Sequence, residues 1–286
     1  MPTTSSSDGW PRSKPSRDNR HGDEVAAASY CARVRLAQLS DTHLLADSNA
    51  ELWGHNPARN LDAVLRALPS AVDALVVTGD VADAGERESY RFASVMTEGR
   101  APNRCFLAGN HDDPEVMREE LGPVDGVRVM QIAAHWSLVL VNTQWDGHDA
   151  GRLTEPVLAQ LRAALAGVTT HVALFLHHPP ISPCPKPECG LVDGDRVVAA
   201  ITGPDTPVRV VGSGHVHRRF VTMRGGVPFL GAPSTFRQLH HGGEPHYRDS
   251  GEPPGGLLLD LADDGAVTWR VVTATARVAS PHEPRR

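Results

Sequence analysis

Five short segments carry the side chains able to do chemistry, and each directly follows an apolar run. Asp41 and His43 lie in LSDTH after VRLAQ, and Asp80 in Gly79-Asp80 after ALVVT. Asn110, His111 and Asp112 follow RCFLA, His177 and His178 open HHPP after HVALFL, and His215 and His217 sit in GHVH after VRVVGS. On an extended chain, residues two apart face the same way, so Asp41 with His43 delivers two donors to one spot. Mixed imidazole and carboxylate suits Mn, Fe, Zn or Ni, whereas Ca and Mg take oxygen alone. Each segment by itself also reads as a turn or a polar strand end. Turns do not account for all five together.

The elements that must position these residues alternate. VRLAQL (34–39), ALVVT (74–78) and RCFLA (104–108) read as strands. Between them, NPARNLDAVLRAL reads as a helix with Asn56 as N-cap, Pro57 in its first turn, and Leu61, Val64, Leu65 and Leu68 on one face. ERESYRFASVM and a short stretch near 114–121 read as further helices. Next come the strands VRVMQI and WSLVLVN, the amphipathic helix TEPVLAQLRAALAG, the strands HVALFL and VRVVG, and a helix over 192–202. The remainder, RRFVTM, VPFLGA, GGLLLDL and VTWRVVT, is nearly all strand. Alternation followed by consecutive strands predicts an α/β sandwich with sheets inside and helices outside. In open α/β sheets the crevice beyond the carboxyl ends of the strands is where ligands bind, so all five segments can meet there.

Composition narrows the class. The net charge of −6 comes with no run of Lys or Arg, which argues against a nucleic-acid surface. No apolar run approaches the ~18 residues of a membrane span. Residues 1–31 are polar, with no apolar stretch of the secretory type, and read as a disordered leader; residues 276–286 read as a flexible tail, leaving 32–275 as the folded domain. A cytoplasmic location is expected. Cys31, Cys105, Cys184 and Cys189 read as reduced thiols, since the last pair lacks the second pair a zinc knuckle needs.

The ordered set Asp-x-His, Gly-Asp, Gly-Asn-His-Asp, His-His-Pro-Pro and Gly-His-x-His resembles the calcineurin-like metallophosphoesterases over residues 34 to 275. Within that family LWGHNPARNLDAVLRAL, GHDAGRLTEPVLAQL, HHPP and GAPSTFRQ look most like the class III cyclic nucleotide phosphodiesterases. The resemblance implies a four-layer α/β/β/α sandwich and two divalent metal ions, Mn and/or Fe foremost, with Zn, Ni or Co as possible occupants. Carried over, Asp41, His43 and His217 hold one ion, Asn110, His177 and His215 the other, and Asp80 bridges them, its two anionic oxygens spanning ions about 3.5–4 Å apart. A hydroxide shared by the ions is then the nucleophile, and two ions, two carboxylates and that hydroxide leave about one positive charge, suited to a phosphodiester monoanion.

Asn110 and His111 are expected to reach the phosphate, with His111 as general acid to the leaving oxygen. Asp112 either fixes the His111 tautomer or caps the following helix, and His178 packs beside a ligand without joining it. The expected function is hydrolysis of 3′,5′-cyclic nucleotides, cyclic AMP or cyclic GMP. The alternatives are another diester, such as a glycerophosphodiester, a 2′,3′-cyclic nucleotide or a nucleotide-lipid, and more remotely a non-catalytic scaffold. The partner is thus a small phosphodiester, with a homodimer left open.

Overall fold

A computed structural model of the chain describes residues 33–241 and 247–274. The leader expected over 1–31, the tail expected over 276–286 and His246 lie outside the described residues. The first half runs β1 (Arg33–Leu39), α1 (Pro57–Ala67), β2 (Ala74–Thr78), α2 (Arg87–Met96), β3 (Asn103–Leu107) and α3 (Pro114–Leu121). It continues as β4 (Val127–Gln131), β5 (Trp136–Val141), α4 (Glu155–Gly167), β6 (His171–Leu176), α5 (Gly194–Ile201) and β7 (Val208–Ser213). Six further strands follow: β8 (Phe220–Arg224), β9 (Val227–Gly231), β10 (Leu239–His240), β11 (Arg248–Asp249), β12 (Gly255–Ala262) and β13 (Val267–Thr273). The β10–β11 pair was not foreseen from sequence, because two-residue strands carry no periodic signal.

Among the described residues, one sheet has the order β13-β12-β1-β2-β3 and a second the order β4-β5-β6-β7-β9-β8. The parallel runs are β1-β2-β3, ending at the β3 edge, in one and β5-β6-β7-β9 in the other, with β12 and β13 antiparallel on the opposite side of the first sheet and β4 and β8 antiparallel at the two edges of the second. Central strands bury both faces, which is why they read as unbroken apolar runs. Alternation then assigns each residue a side. Leu36 and Val76 face the second sheet, while Leu39, Leu75 and Val77 face the helices; Leu138 and Leu140 face the first sheet, while Val139 and Val141 turn outward.

Three apolar clusters therefore separate four layers. The first packs Leu61, Val64 and Leu65 of α1, Tyr90 of α2 and Met117 of α3 onto the first sheet. The second fills the space between the sheets with Trp136, Phe175, Leu230, Leu257 and Leu259. The third packs Leu158, Leu161 and Leu165 of α4 and Val197 and Ile201 of α5 onto the second sheet. The expected α/β/β/α sandwich is the observed one. Among the described residues no helix is long and apolar enough to cross a membrane.

Two local devices hold the sheets in register where the five segments emerge. Gln38, fully buried on β1, donates to Thr78 Oγ1 on β2 and to the Ser213 carbonyl on β7, both at 3.1 Å. Gly109 lets the β3 loop lie directly on the β2 loop: a Cβ there would fall 2.1 Å from Asp80 Oδ1 and 2.4 Å from the Asp80 backbone nitrogen. Backbone cannot give way as a flexible side chain does. Gly109→Ala should therefore cost about 2–3 kcal/mol, a fall of roughly 5–10 °C in Tm by calorimetry. An unchanged Tm would mean that the two loops separate freely.

Candidate metal centre

All five segments meet at the carboxyl ends of β1, β2, β3, β6 and β7. Asp41 and His43 are fastened to the β2 loop by backbone N–H groups donating to the Gly79 and Asp80 carbonyls, both at 3.0 Å. Gly214 N–H donates to the His177 carbonyl at 2.9 Å, joining the β6 and β7 loops, and His215 N–H, donating to Asp41 Oδ1 at 2.9 Å, ties the second sheet to the first. Asp41, His43, Asp80, His215 and His217 all have positive φ, between 44° and 70°. Non-glycine residues avoid this left-handed region, and their concentration here marks a site where side-chain direction outweighs backbone comfort. Asp41, His43, Asp80, His177 and His217 are buried.

The four imidazoles are oriented alike. Each directs one nitrogen outward to an oxygen acceptor: His43 Nδ1 to Asp83 Oδ1 at 2.9 Å, His177 Nδ1 to the Thr78 carbonyl at 2.6 Å, His217 Nδ1 to the Arg237 carbonyl at 3.1 Å, and His215 Nε2 to the Glu188 carbonyl at 2.7 Å. A carbonyl only accepts, so at His177, His215 and His217 the outer nitrogen carries a proton, and at His215 and His217, which burial keeps neutral, the inner nitrogen presents a lone pair. Those inner atoms crowd together. His43 Nε2 is 3.0 Å from His217 Nε2, His217 Nε2 is 3.6 Å from Asp41 Oδ1, and Asp80 Oδ2 is 3.7 Å from His43 Nε2 and 3.4 Å from His177 Nε2. Asn110 Oδ1 lies 3.2 Å from His177 Nε2 and 2.9 Å from His215 Nδ1.

So many acceptor atoms converging in a buried space is the arrangement that cations stabilise. The outer hydrogen bonds are those that fix a histidine as a ligand. Asp41, His43, Asp80 and His217 lie close enough to share one ion, and His177 and His215 meet at Asn110 Oδ1 while His177 also faces Asp80. The residues fit a pair of divalent ions.

Around this donor set, Asp112 is the residue placed differently from expectation. His111 stands on the cleft wall, its N–H donating to Asp80 Oδ1 at 3.0 Å and its Nδ1 bonded to the Asp83 carbonyl at 2.8 Å, so Nε2 is not taken up by that bond. Asp112 neither orients His111 nor caps α3. Its carboxylate accepts from the backbone N–H groups of Val81, Ala82 and Gly109 at 2.9–3.1 Å, joining the β2 and β3 loops, and Asp113 caps α3 through Glu115 and Val116 N–H. Asp112 was expected to act because it neighbours His111 in sequence, but on this loop consecutive side chains diverge. Asp83, three residues beyond Asp80, is the group that braces both His43 and His111, and sequence reasoning missed it. His178 is buried beside the centre, with Nδ1 on Thr143 Oγ1 at 2.8 Å and Nε2 on the Asp149 carbonyl at 3.1 Å.

The expectation of reduced thiols is corrected at one pair. Cys184 and Cys189 form a disulfide, while Cys105 is free and buried. The reason is the proline-rich turn between them, which tightens into a 3₁₀ turn at Pro187–Cys189 and brings the Cα atoms to 5.8 Å, a span a disulfide bridges. The same turn presents the Glu188 carbonyl to His215.

Burial works against charge on these groups. It pushes the Asp41 carboxyl up to about 6, draws His215 down to about 4 and keeps His217 and His178 well below the usual imidazole range. Asp80 and His177 escape this because they face each other: burial is outweighed, Asp80 is held well below the ordinary carboxylate range by His177, and His177 is carried up to about 9 by Asp80. A proton thus occupies the place of a cation, and an entering ion must expel it. Loading metal at about pH 7.5 should release at least one proton, with apparent affinity rising up to about pH 9, as read by titration calorimetry in buffers of different ionisation heat. A binding heat independent of buffer would contradict this.

The sequence matches the family model described as calcineurin-like phosphoesterase over residues 34–219. It is 33% identical over 267 residues to the 3′,5′-cyclic adenosine monophosphate phosphodiesterase CpdA of Pseudomonas aeruginosa, covering 91% of this chain and 94% of that protein. It is 29% identical over 258 residues to a 3′,5′-cyclic-nucleotide phosphodiesterase of Nostoc, covering 88% and 96%. Among solved structures, a dimetal phosphatase from Danio rerio shares the fold with a TM-score of 0.60 at 14% identity, over 85% of this chain and 99% of that one. With the family model spanning more than half of the sequence and relatives matched along nearly their whole length, the chain belongs to the calcineurin-like phosphoesterases, metal-dependent hydrolases of phosphoesters.

Proposed function

We propose that the protein hydrolyses 3′,5′-cyclic nucleotides with two divalent ions, one held by Asp41, His43 and His217, the other by Asn110, His177 and His215, and both touched by Asp80. The observation carrying this reading is that the buried donor set opens into a cleft in a chain similar over nine-tenths of its length to a relative named for cyclic AMP. Mn and Fe suit the mixed nitrogen and oxygen donors, and Zn, Ni and Co are also compatible. When bound, the ions supply Lewis acidity toward the phosphoryl oxygens and lower the pKa of the attacking water.

The chain's own residues do the rest. Asp41 and Asp80 limit the positive charge so that a monoanionic diester is attracted without being trapped. Asn110 orients the phosphoryl group through its amide. The Asp83 carbonyl holds His111 by Nδ1, and a proton on Nε2 then stands ready for the ribose 3′-oxygen as its bond to phosphorus breaks, giving a 5′-nucleotide. Buried neutral His178 keeps water and charge away from the back of the centre.

Turnover measured side by side on cyclic AMP, cyclic GMP, 2′,3′-cyclic AMP and a glycerophosphodiester tests the substrate, with the 3′,5′-cyclic nucleotides expected to lead; preference for either of the others overturns it. His111→Ala should cost about 10²–10⁴-fold on cyclic AMP and clearly less on bis(p-nitrophenyl) phosphate, whose leaving group departs unaided, with metal content unchanged. Equal losses would make His111 a phosphate-positioning group instead. By elemental analysis, Asp80→Ala should deplete both ions and His43→Ala mainly one. Retention of both ions in the Asp80 variant contradicts the shared carboxylate.

A further inference from the structure

Trp53 has no place in the fold's packing. It is 72% exposed, the most open of the large apolar side chains among the described residues, yet it lines the cleft of about 530 Å³ that also contains Asn110 and His111. Its backbone is equally unusual. Leu52 and His55 exchange hydrogen bonds of 2.8 and 3.0 Å around the two-residue turn Trp53-Gly54, and both central residues have positive φ, 53° and 80°. Asn, Asp or Gly suits the first of those positions, and a bulky aromatic is strained there. Neither burial nor turn chemistry accounts for a tryptophan.

The turn is nonetheless rigidly held. His55 Nε2 bonds Asp249 Oδ2 at 2.6 Å and its ring meets Phe236 edge-on at 5.8 Å, while Asn56 caps α1 and donates to the Ser48 and Ala50 carbonyls. One face of the indole is covered by the Arg237 guanidinium, 5.2 Å from the ring centroid, whose Nε is buried with no hydrogen-bond partner among the described residues. The Arg237 carbonyl receives His217 Nδ1, so one residue touches both the indole and the metal centre. With a cation already on one face, a second cation is disfavoured on the other by like-charge repulsion. A neutral planar π-system is favoured there.

We propose that Trp53 is the platform on which the substrate's nucleobase stacks, with Arg237 bracing the indole, so that the enzyme selects diesters carrying a planar base. This rests on the cyclic nucleotide reading and adds the residue that recognises the base. The phosphate end lies at Asn110 and His111, and the base reaches outward along the same cleft to the exposed ring.

The test is equilibrium binding of 5′-AMP and ribose 5-phosphate to the metal-loaded protein by titration calorimetry, in wild type, Trp53→Ala and Trp53→Phe. Wild type should bind 5′-AMP about 10-fold or more tighter than ribose 5-phosphate, Trp53→Ala should bring the two within about 2-fold by weakening 5′-AMP alone, and Trp53→Phe should restore most of the preference. Because Trp53 is exposed, melting temperatures should not move. Equal binding of both ligands by wild type overturns the proposal, as does a 5′-AMP preference that survives in Trp53→Ala or a loss of both ligands together. The titration uses no turnover, so a failure of the cyclic nucleotide reading would appear separately, in the substrate panel.

Discussion

The structure turns on one constraint: more acceptor atoms than donors are forced together in a buried space. His43 Nε2 and His217 Nε2 stand 3.0 Å apart, with Asp41 and Asp80 carboxylate oxygens within 3.7 Å. Left alone, such a group is strongly unfavourable at low dielectric. Positive charge resolves it, as a proton on His177 facing Asp80 in the bare protein and as divalent ions once they bind. The outer hydrogen bonds to Thr78, Arg237, Glu188 and Asp83 keep the imidazoles from rotating away from the crowding. The left-handed backbone at five of the donors costs on the order of 1–3 kcal/mol each, which only a firmly built scaffold can hold.

That scaffold divides the task between two sheets. The first supplies Asp41, His43, Asp80 and Asn110 from the ends of β1, β2 and β3; the second supplies His177, His215 and His217 from β6 and β7. Neither half closes the centre alone. The inter-sheet core around Trp136, Phe175 and Leu259, the buried Gln38 and the close approach of Gly109 to Asp80 are therefore as necessary to the chemistry as the ligands. The cleft carries the same logic outward, since Arg237 fixes His217 with its carbonyl and meets Trp53 with its guanidinium.

Much of this was legible in the sequence, for a physical reason. Strands buried on both faces read as apolar runs, helices as one-sided stripes, and donors at strand ends as motifs, so α1 with its Asn56 cap and the set from Asp41 to His217 could be read directly. What could not be read depends on direction within loops. Asp112 follows His111, yet its carboxylate turns into the backbone of the β2 loop, while Asp83, with no motif of its own, reaches His43 across that loop. Trp53 was visible within LWGHN but not its exposure, and Cys184 and Cys189 were visible as a near pair but not the 3₁₀ turn that joins them.

The central claim is that these residues hold two ions near enough to share Asp80. Low-temperature electron paramagnetic resonance of protein loaded with about two equivalents of Mn(II) addresses it most directly, since neighbouring ions joined by a carboxylate couple magnetically. The account predicts the multiline spectrum of an exchange-coupled pair in the wild type. Signals of isolated Mn(II) alone at full loading would contradict it.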